Sequence, residues 1–403
     1  MRTGWEDKLL KDICSVFGRI GFRGYTKADF VSTPDNGAIT LSPSNIIGGE
    51  LSCDKCSYVS WEKYNQSPEI MVFPGDILLV KTASIGKCAL VRSLPHEATI
   101  NPQFVVLKEI KVNHQYLTYF LQSPIAQKKF QEFAIGAAVP TFSQKKLEGL
   151  IVPTPSLPEQ QRIVDILDRE FAKIDALKAN AEKSLHAAKD LYAEMLNTSL
   201  SSQKGWKTKT LDEVCSKISD GTHHSPPNTP SGEYKYITAK NIKPWGLDLT
   251  DLTFVSKDIH QEIYSRCNPK KGDVLYIKDG ATTGIAIVNP LEEEFSLLSS
   301  VALLKPIPTE ITSRYLCYAM NSPRMYAFVR ERMDGAAITR ITLKKIKAFP
   351  VSYPAINEQN AIVSRLDDLN DRCNTLQENY QKTLTLCDDL KQSLLRKAFN
   401  GEL

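Results

Sequence analysis

The chain has 403 residues, 42% of them hydrophobic and 24% charged, and a formal net charge of +4. This length suffices for two or three domains with cores of their own, and the composition excludes a disordered or fibrous protein. No apolar run is long enough to span a membrane, and the charged first residues do not form a secretory signal. Nine cysteines are scattered along the chain, so we expect free thiols in the cytoplasm.

The sequence is a tandem repeat of a unit about 200 residues long. Gly75-Asp76-Ile77-Leu78 recurs as Gly272-Asp273-Val274-Leu275, and Glu159-Gln160 recurs as Glu358-Gln359. The order of the matches never breaks, which excludes chance similarity. Further recurring pairs are Ser123-Pro124 with Ser322-Pro323, Lys145-Lys146 with Lys344-Lys345, and Leu167-Asp168 with Leu366-Asp367.

Each repeat has a sheet-rich part followed by a long helix. Short apolar runs with β-branched residues, such as Phe104-Val105-Val106-Leu107, are separated by glycine and proline, which predicts strands of an irregular sheet. One helix is predicted over residues 116–133, with its copy over residues 313–333. The predicted boundaries are 1–154 for the first mixed domain, 155–203 for its helix, 204–353 for the second mixed domain and 354–403 for the second helix.

Both long helices carry apolar residues at a seven-residue spacing, which is typical of a coiled-coil seam. Leu177 fills a flanking position in the first helix, whereas Leu369, Leu376 and Leu390 form a second seam position in the second helix, three residues further on in each heptad. We expect the two helices to pack antiparallel with pseudo-twofold symmetry, although each could pack on its own domain or on another protein. The series are Leu167, Ile174, Ala181, Ala188 and Met195 in the first helix, and Leu366, Cys373, Tyr380, Cys387 and Leu394 in the second.

The loop that follows each Gly-Asp motif is the first candidate binding site. Its small residues would let the backbone approach DNA, while lysines contact phosphates and hydroxyl groups reach phosphates or base edges. The alternative is an ordinary polar hairpin. The candidate residues are Lys81, Ser84 and Lys87 in the first repeat, and Lys278, Thr282 and Thr283 in the second.

A basic segment after each Gly-Ala-Ala turn is the second candidate. Arg340 stands out because arginine can grip guanine through two hydrogen bonds, and its counterpart is Thr141. The alternative is a solvated helix start. A third stretch, His223-His224 with Asn228, is either a recognition loop or a plain surface loop. The residues of the second candidate are Thr141, Lys145 and Lys146, with Arg340, Lys344 and Lys345.

Three short patterns imitate metal or catalytic sites. Cys53-Asp54-Lys55-Cys56 is half of a zinc site without a second pair. Residues 101–104 lack the second proline of an amino-methyltransferase motif. Asp220 with Glu233 and Lys235 has the spacing of a metal-dependent nuclease, but the first repeat has no counterpart. We therefore predict no metal site and no catalytic residue in this chain.

Taken together, the recurring motifs resemble those of the specificity subunits of type I restriction-modification systems. The resemblance is carried by PSLPEQQRIV at 155–164, AINEQNAIV at 355–363, the two Gly-Asp motifs and LRKAFNGEL at 395–403. It implies an α+β fold with two tandem target-recognition domains, each followed by a conserved helix. Asn357 departs from the first copy, which has Pro158 there, and implies a softer helix start.

The resemblance also implies a non-catalytic subunit that reads a bipartite, non-palindromic DNA target. The helices would set the gap between the two halves of the target. They would also dock two modification subunits, which carry S-adenosylmethionine and methylate adenine. Two restriction subunits, with ATP and Mg, would complete the complex, and this chain would hold no cofactor. Two alternatives are a self-contained nuclease or methyltransferase, which would act alone, and a coiled-coil scaffold that has lost DNA binding.

Overall fold

The structure is a computed structural model that describes residues 4–19, 24–134, 139–333 and 340–403. The chain divides into two compact units. The first unit comprises Met1–Ala181 with Lys382–Leu403, and the second comprises Glu182–Gln381. Among the described residues, no helix is both long enough and apolar enough to cross a membrane.

The first unit contains thirteen of the strands and the start of a long helix. Its strands are β1 (Glu6–Leu9), β2 (Ser15–Gly18), β3 (Phe30–Val31), β4 (Gly37–Leu41), β5 (Ile46–Ile47), β6 (Glu50–Leu51), β7 (Ser57–Ser60), β8 (Met71–Val72), β9 (Ile77–Val80), β10 (Cys88–Leu90), β11 (Ala98–Ile100), β12 (Phe104–Lys108) and β13 (Ile151–Thr154). Its helices are α1 (Leu10–Ile13), α2 (Trp61–Asn65), α3 (His114–Gln122), α4 (Pro124–Phe133), α5 (Gln144–Glu148) and the start of α6 (Leu157–Ser199).

A four-stranded antiparallel sheet, in the order β10-β9-β12-β2, lies at the centre of the first unit. One face, with Ile77 and Leu79, packs in a core that α3 and α4 share. The other face, with Leu78 and Val80, packs in a second core with the five-stranded sheet β3-β7-β4-β11-β8. Because both faces are buried, the sequences of the central strands are continuous apolar runs.

The second unit repeats this plan with the central sheet β15-β23-β20-β21. Its strands are β14 (Lys207–Thr210), β15 (Cys215–Asp220), β16 (Tyr234–Ile237), β17 (Ile242–Lys243), β18 (Gly246–Leu247), β19 (Thr253–Val255), β20 (Val274–Ile277), β21 (Ala286–Val288), β22 (Ser296–Leu297), β23 (Val301–Pro306) and β24 (Pro350–Tyr353). Its helices are α7 (Leu211–Val214), α8 (Lys257–Arg266), α9 (Ser313–Asn321), α10 (Pro323–Arg330), α11 (Leu343–Lys347) and the start of α12 (Ile356–Asn400).

The predicted single helices over residues 116–133 and 313–333 are wrong, because each is two helices that meet at a serine. Ser123 and Ser322 adopt extended backbone angles, and their side chains accept hydrogen bonds from the first turns of α4 and α10. The following residues, Pro124 and Pro323, exclude the helical conformation from the serine before them. The recurring Ser-Pro pair is therefore a helix break with its own cap.

The two long helices are continuous over 43 residues in α6 and 45 residues in α12. Within the first unit, Asp175 pairs with Lys391 at 2.5 Å and Lys178 pairs with Asp388 at 2.7 Å. Residue numbers rise along α6 as they fall along α12, so the helices run antiparallel in this unit. The prediction that the helices pack together is confirmed, whereas the pseudo-twofold relation of the two units stays a prediction.

The buried row along the helices is narrower than the predicted two-position seam. Most residues of the predicted series, Leu167 and Cys373 among them, are buried and at most 9% exposed. Met195 is exposed, and its neighbour Leu196 is buried in its place. Alanine and cysteine occupy much of the buried row, as Ala181, Ala188, Cys373 and Cys387. The leucines Leu177, Leu191, Leu376 and Leu390 are 44–56% exposed.

The end of α12 completes the core of the first unit. The ring of Phe399 is fully buried, and its centroid lies 5.2 Å from that of Tyr116 and 5.3 Å from that of Phe120. Leu395 and Ala398 lie in the same core. Residues near the C-terminus of the chain are therefore part of a domain that begins near its N-terminus.

Replacing Phe399 with alanine is expected to lower the free energy of unfolding of the first unit by about 3–5 kcal/mol, because it leaves a large cavity. Leu386→Ala is the matched control on the same helix, since Leu386 is 64% exposed, and its effect should stay within about 0.5 kcal/mol. Hydrogen exchange in urea, measured by mass spectrometry of peptides, reports the stability of each unit separately. Equal protection of the first unit in both variants would contradict this packing.

Candidate nucleic-acid interface

The two predicted loops of the first unit lie side by side. Thr82 and Thr141 form an antiparallel bridge, and their hydroxyl oxygens are 2.9 Å apart. The amide of Ala83 donates to the carbonyl of Pro140 at 2.8 Å, and the amide of Phe142 donates to the carbonyl of Lys81 at 3.1 Å. Two segments predicted separately therefore form one structure, the paired loops, residues 81–87 with 140–142.

The second unit has the same paired loops, residues 278–284 with 340–342. Asp279 and Arg340 form the antiparallel bridge here, and the amide of Ile341 donates to the carbonyl of Lys278 at 2.9 Å. Nε of Arg340 lies 3.8 Å from Oδ1 of Asp279. An ion pair thus replaces the two threonines of the first unit. The Gly-Ala-Ala turns, 136–138 and 335–337, lie outside the described residues.

Close packing holds the backbone of the paired loops. Ala83 has a φ of 66° and its copy Gly280 a φ of 102°, so both copies use a left-handed residue at the same place. This conformation costs an alanine roughly 1 kcal/mol or more. A Cβ added at Gly86 would approach Gln127 of α4 to 2.3 Å, and one added at Gly284 would approach Tyr326 of α10 to 2.8 Å. The loops are therefore held against the helices behind them.

Lys278 does not face solvent as the sequence suggested. It is 5% exposed, and its Nζ lies 3.0 Å from Oδ2 of Asp279 and 3.5 Å from Oδ2 of Asp220. Asp220 is itself buried and also accepts a hydrogen bond from Arg266. The ammonium group of Lys278 therefore neutralises buried carboxylates and holds the loop in place.

Its counterpart Lys81 has a different environment, because glycine occupies the position of Asp220. Gly18 pairs with β12 where Asp220 pairs with β23, and a Cβ on Gly18 would lie 3.5 Å from Nζ of Lys81. No ion pair involves Lys81 within the described ranges. Burial lowers the pKa of Lys81. The first unit therefore has a half-buried ammonium group without a carboxylate partner beside its paired loops.

The recurring lysine pairs divide into two kinds. Nζ of Lys146 donates to the carbonyl of Phe133 at 2.6 Å, and Nζ of Lys345 donates to the carbonyl of Arg332 at 2.9 Å. These lysines satisfy backbone carbonyls at the C-terminal ends of α4 and α10, as basic side chains often do at helix ends. Lys145 and Lys344 are exposed, as Lys146 also is, but no ion pair involves them in the part of the chain that is described.

The remaining predicted residues also differ in exposure. Thr283 is buried, and its hydroxyl donates to the carbonyl of Gly280 at 2.7 Å, so it stabilises the turn. Thr282 and Lys87 are exposed and Ser84 is half-buried. Of the predicted residues, Lys81, Ser84 and Lys345 are half-buried, and the exposed ones are Lys87, Thr141, Lys145, Lys146, Thr282, Arg340 and Lys344.

Sequence reasoning missed a hairpin that recurs in both units, β5–β6 and β17–β18. A buried asparagine anchors each copy. The amide of Asn45 donates to the carbonyls of Ser52 and Lys55 at 3.0 and 3.1 Å. The amide of Asn241 donates to the carbonyls of Asp248 and Asp251 at 3.2 and 3.4 Å. The only local signal is a Ser/Thr-x-x-Asn-Ile pattern at 42–46 and 238–242.

The hairpin of the second unit faces the paired loops across a cleft of about 620 Å³. Lys240, Lys243 and Pro244 line one side of this cleft, and Gly280 and Thr282 line the other. The paired loops and the hairpin therefore form a single surface in the second unit. That surface combines flexible basic side chains, hydroxyl groups and closely approaching backbone, which is a combination suited to a nucleic acid.

The patterns that imitate catalytic sites are structural. The thiol of Cys56 donates to the carbonyl of Cys53, and the described residues contain no His, Cys, Asp and Glu cluster suited to a metal. Asn101 closes its own turn by accepting from the amide of Gln103 at 2.9 Å. Asp220 is held by Arg266 and Lys278, and His223 lies beside the same arginine at 2.9 Å.

A family model described as the type I restriction modification DNA specificity domain matches residues 2–186 and 203–386. The chain belongs to this family. It is the DNA specificity subunit of a type I restriction-modification system, and the family is non-catalytic. Members of the family typically bind no cofactor. The predicted α+β fold, with two recognition domains and long helices that pack together, is confirmed.

Similar proteins cover most of the chain at low identity. The EcoKI specificity subunit of Escherichia coli K12 is 22% identical over 389 residues, which is 90% of this chain and 82% of that subunit. The StySPI specificity subunit of Salmonella potsdam is 22% identical over 99% of this chain and 89% of its own length.

Solved structures share the fold. The HsdS subunit from Thermoanaerobacter tengcongensis has a TM-score of 0.57 and 18% identity, covering 100% of this chain and 98% of that one. A chain from a structure on complex assembly and conformational transition of the type I R-M system has a TM-score of 0.78 and 19% identity, covering 100% and 99%.

Replacing Lys278 with methionine is expected to destabilise the second unit by about 1–3 kcal/mol, because Asp220 and Asp279 lose a buried partner. Lys81→Met is the matched substitution in the first unit. It should not destabilise that unit, since burial already disfavours the ammonium group. Urea unfolding followed by hydrogen exchange of each unit measures both effects. A loss of similar size in both variants would show that the two lysines have the same role.

Proposed function

We propose that each recognition domain reads one half of a bipartite, non-palindromic DNA target. The observation that supports this most directly is the paired loops, which share one backbone arrangement and differ in their side chains. Thr82 and Thr141 in the first domain correspond to Asp279 and Arg340 in the second. Two related frames with different side chains at one position are what a target with two unlike halves requires.

The second domain has an arginine suited to direct base readout. Asp279 lies beside Nε of Arg340, whose side chain is 66% exposed. A carboxylate close to Nε leaves the two outer nitrogens of the guanidinium group available for other acceptors. Arginine in this setting donates two hydrogen bonds to the O6 and N7 atoms of guanine in the major groove. We therefore expect a guanine in the half-site of the second domain.

The first domain presents smaller groups and more lysine. The threonine pair offers hydroxyl groups for polar contacts and methyl groups for the methyl group of thymine. Lys87 and Lys145 are exposed and suited to phosphates, and Lys81 adds a positive charge without a carboxylate neighbour. In the second domain, Lys344 is the counterpart of Lys145 and is suited to a phosphate, as is Thr282, which is exposed at the position of Ser84. Thr283, Lys146, Lys278 and Lys345 act indirectly, by holding the backbone that presents these groups.

The long helices serve as the docking surface for two modification subunits. In the first unit the exposed leucines include Leu177 on α6 with Leu386 and Leu390 on α12. In the second unit they are Leu191 on α6 and Leu376 on α12. Exposed large apolar side chains on a paired helix favour a protein partner. The partner subunits would carry S-adenosylmethionine, and two restriction subunits with ATP and Mg would join them.

Reconstitution with the modification subunit of the same system tests this function. We expect methyl-adenine at one bipartite, non-palindromic sequence when the modification subunit, S-adenosylmethionine and this chain are combined, as mapped by long-read sequencing of treated genomic DNA. The modification subunit without this chain is the control and should methylate no defined sequence. Methylation of a contiguous palindrome would contradict the proposal, and methylation by this chain alone would identify it as an enzyme.

The helices are also proposed to set the gap between the half-sites. Because Lys178 faces Asp388, an inserted heptad after Ala179 is matched by one before Cys387. Seven residues lengthen each helix by about 10 Å, which equals about three base pairs of duplex. The reconstituted complex should then methylate sites whose gap is about three base pairs longer, with both half-site sequences unchanged. A changed half-site with an unchanged gap would show that the helices do not set the spacing.

A further inference from the structure

The hairpin of the second recognition domain has an exposed tryptophan at its tip. Trp245 lies between β17 and β18 and is 79% exposed. Exposing an indole to water is unfavourable, because burial of such a side chain contributes on the order of a few kcal/mol. A side chain of this size at the end of a two-stranded turn contributes little to the core. Its position therefore points to a surface that covers it in a complex.

The hairpin behind the tryptophan is firmly anchored. Asn241 is 4% exposed, and its Oδ1 accepts from the amide of Thr238 at 3.0 Å while its amide donates to two carbonyls of the returning chain. Ile242 and Leu247 pack in the same core as Ile287, which lies on the strand that leaves the paired loops. The tip is therefore held at a fixed place beside these loops.

The cleft beside the tip is lined by charges of both signs. Lys240 and Lys243 line the cleft that separates the hairpin from the paired loops. Three aspartates also line it, Asp248, Asp251 and Asp279. Asp248 accepts from the amide and the hydroxyl of Thr250 at 3.1 and 2.6 Å, and Asp279 is paired with Lys278 and Arg340. Lys240 and Lys243 are thus the cationic groups of the hairpin that lie next to the indole in the sequence.

The first recognition domain has the same hairpin with a different tip. Ile46 pairs with Leu51 as Ile242 pairs with Leu247, so the two tips have equal length. In the first domain the tip is Ile47-Gly48-Gly49-Glu50, and Ile47 is 64% exposed. Both tips thus expose one large apolar side chain, but at different places on a shared frame. This is the same relation that the paired loops show between a common backbone and different side chains.

We propose that Trp245 is a DNA-contacting wedge of the second recognition domain, with Ile47 as the corresponding element of the first. This inference rests on the proposed function and adds a second reading element to each domain. The indole would pack against the sugar edge or enter a base step, as apolar side chains do in groove-binding proteins that bend DNA. Lys240 and Lys243 would hold the adjacent phosphates.

The complex of this chain with its modification subunit tests the wedge, and the probe is a duplex with the bipartite target found by methylation mapping. Trp245→Ala should raise the dissociation constant by about tenfold, because the aromatic contact with the nucleic acid is lost. Trp245→Phe should retain most of the affinity. Leu249→Ala is the matched control, because Leu249 is 38% exposed beyond the same hairpin, and should bind as the parent complex does.

A second readout reports the indole itself. With Trp5, Trp61 and Trp206 replaced by phenylalanine, target duplex should protect the fluorescence of Trp245 from acrylamide. Unchanged affinity in Trp245→Ala with unchanged quenching would overturn the inference and leave the proposed function intact. Loss of the modification subunit from Trp245→Ala in gel filtration, with no change in duplex binding, would overturn it too, because the indole would then face a protein. If the parent complex shows no bipartite target, the proposed function itself fails.

Discussion

A buried glutamine at the start of each long helix fixes that helix to its recognition domain. The amide of Gln160 donates to the carbonyl of Pro155 at 2.8 Å, and its Oε1 accepts from the amide of Asn113 at 2.8 Å. Gln359 makes the same two contacts with Pro354 and Thr312, both at 2.9 Å. Leaving such a buried group unsatisfied costs about 1–3 kcal/mol. The start of the helix is therefore tied to the helix pair behind the paired loops, and any role of the long helices in spacing depends on this tie.

The other recurring motifs build the same frame. Asp76 accepts from Lys108 at 2.7 Å and Asp273 accepts from Lys305 at 2.5 Å, so each Gly-Asp motif joins neighbouring strands of the central sheet. Tyr119 donates to Asp168 on α6, and its copy donates to the aspartate of the matching pair on α12. The residues that made the repeat visible in the sequence are thus the ones that hold each helix on its domain. The side chains that differ between copies stand on this frame and face outward.

The fold class, both long helices and the two loop segments followed from the sequence because periodicity and the repeat are local signals. The environment of Lys278 could not be predicted in this way. It depends on Asp220, a residue on a strand far away in the sequence, and the copy has Gly18 in that place. The recurrence of Lys146 raised the expectation of a DNA contact, although its ammonium group donates to Phe133. Recurrence between copies shows that a residue matters, but it does not separate a structural contact from a binding contact.

The hairpins could not be predicted from the sequence, because they share too few residues between the two copies. Each one is defined by a single asparagine and a few backbone hydrogen bonds, so little sequence has to repeat. Their tips, with Ile47 in one copy and Trp245 in the other, have diverged completely. The same holds for the paired loops, where two threonines correspond to an aspartate and an arginine. The contacts that hold the shared backbone can be predicted from residues that repeat between the copies. The side chains proposed to contact DNA have diverged, so they have to be located by their place in the fold.

We propose that side chains of the paired loops select bases while the shared frame only presents them. Replacing Asp279 and Arg340 together with threonine gives the second domain the pair that the first domain has. Methyl-adenine mapping of the reconstituted complex should then show altered bases in one half-site, with the other half-site and the gap unchanged. Thermal melting of the variant checks that the double substitution leaves the protein folded. An unchanged target, or a change in both half-sites, would contradict the claim.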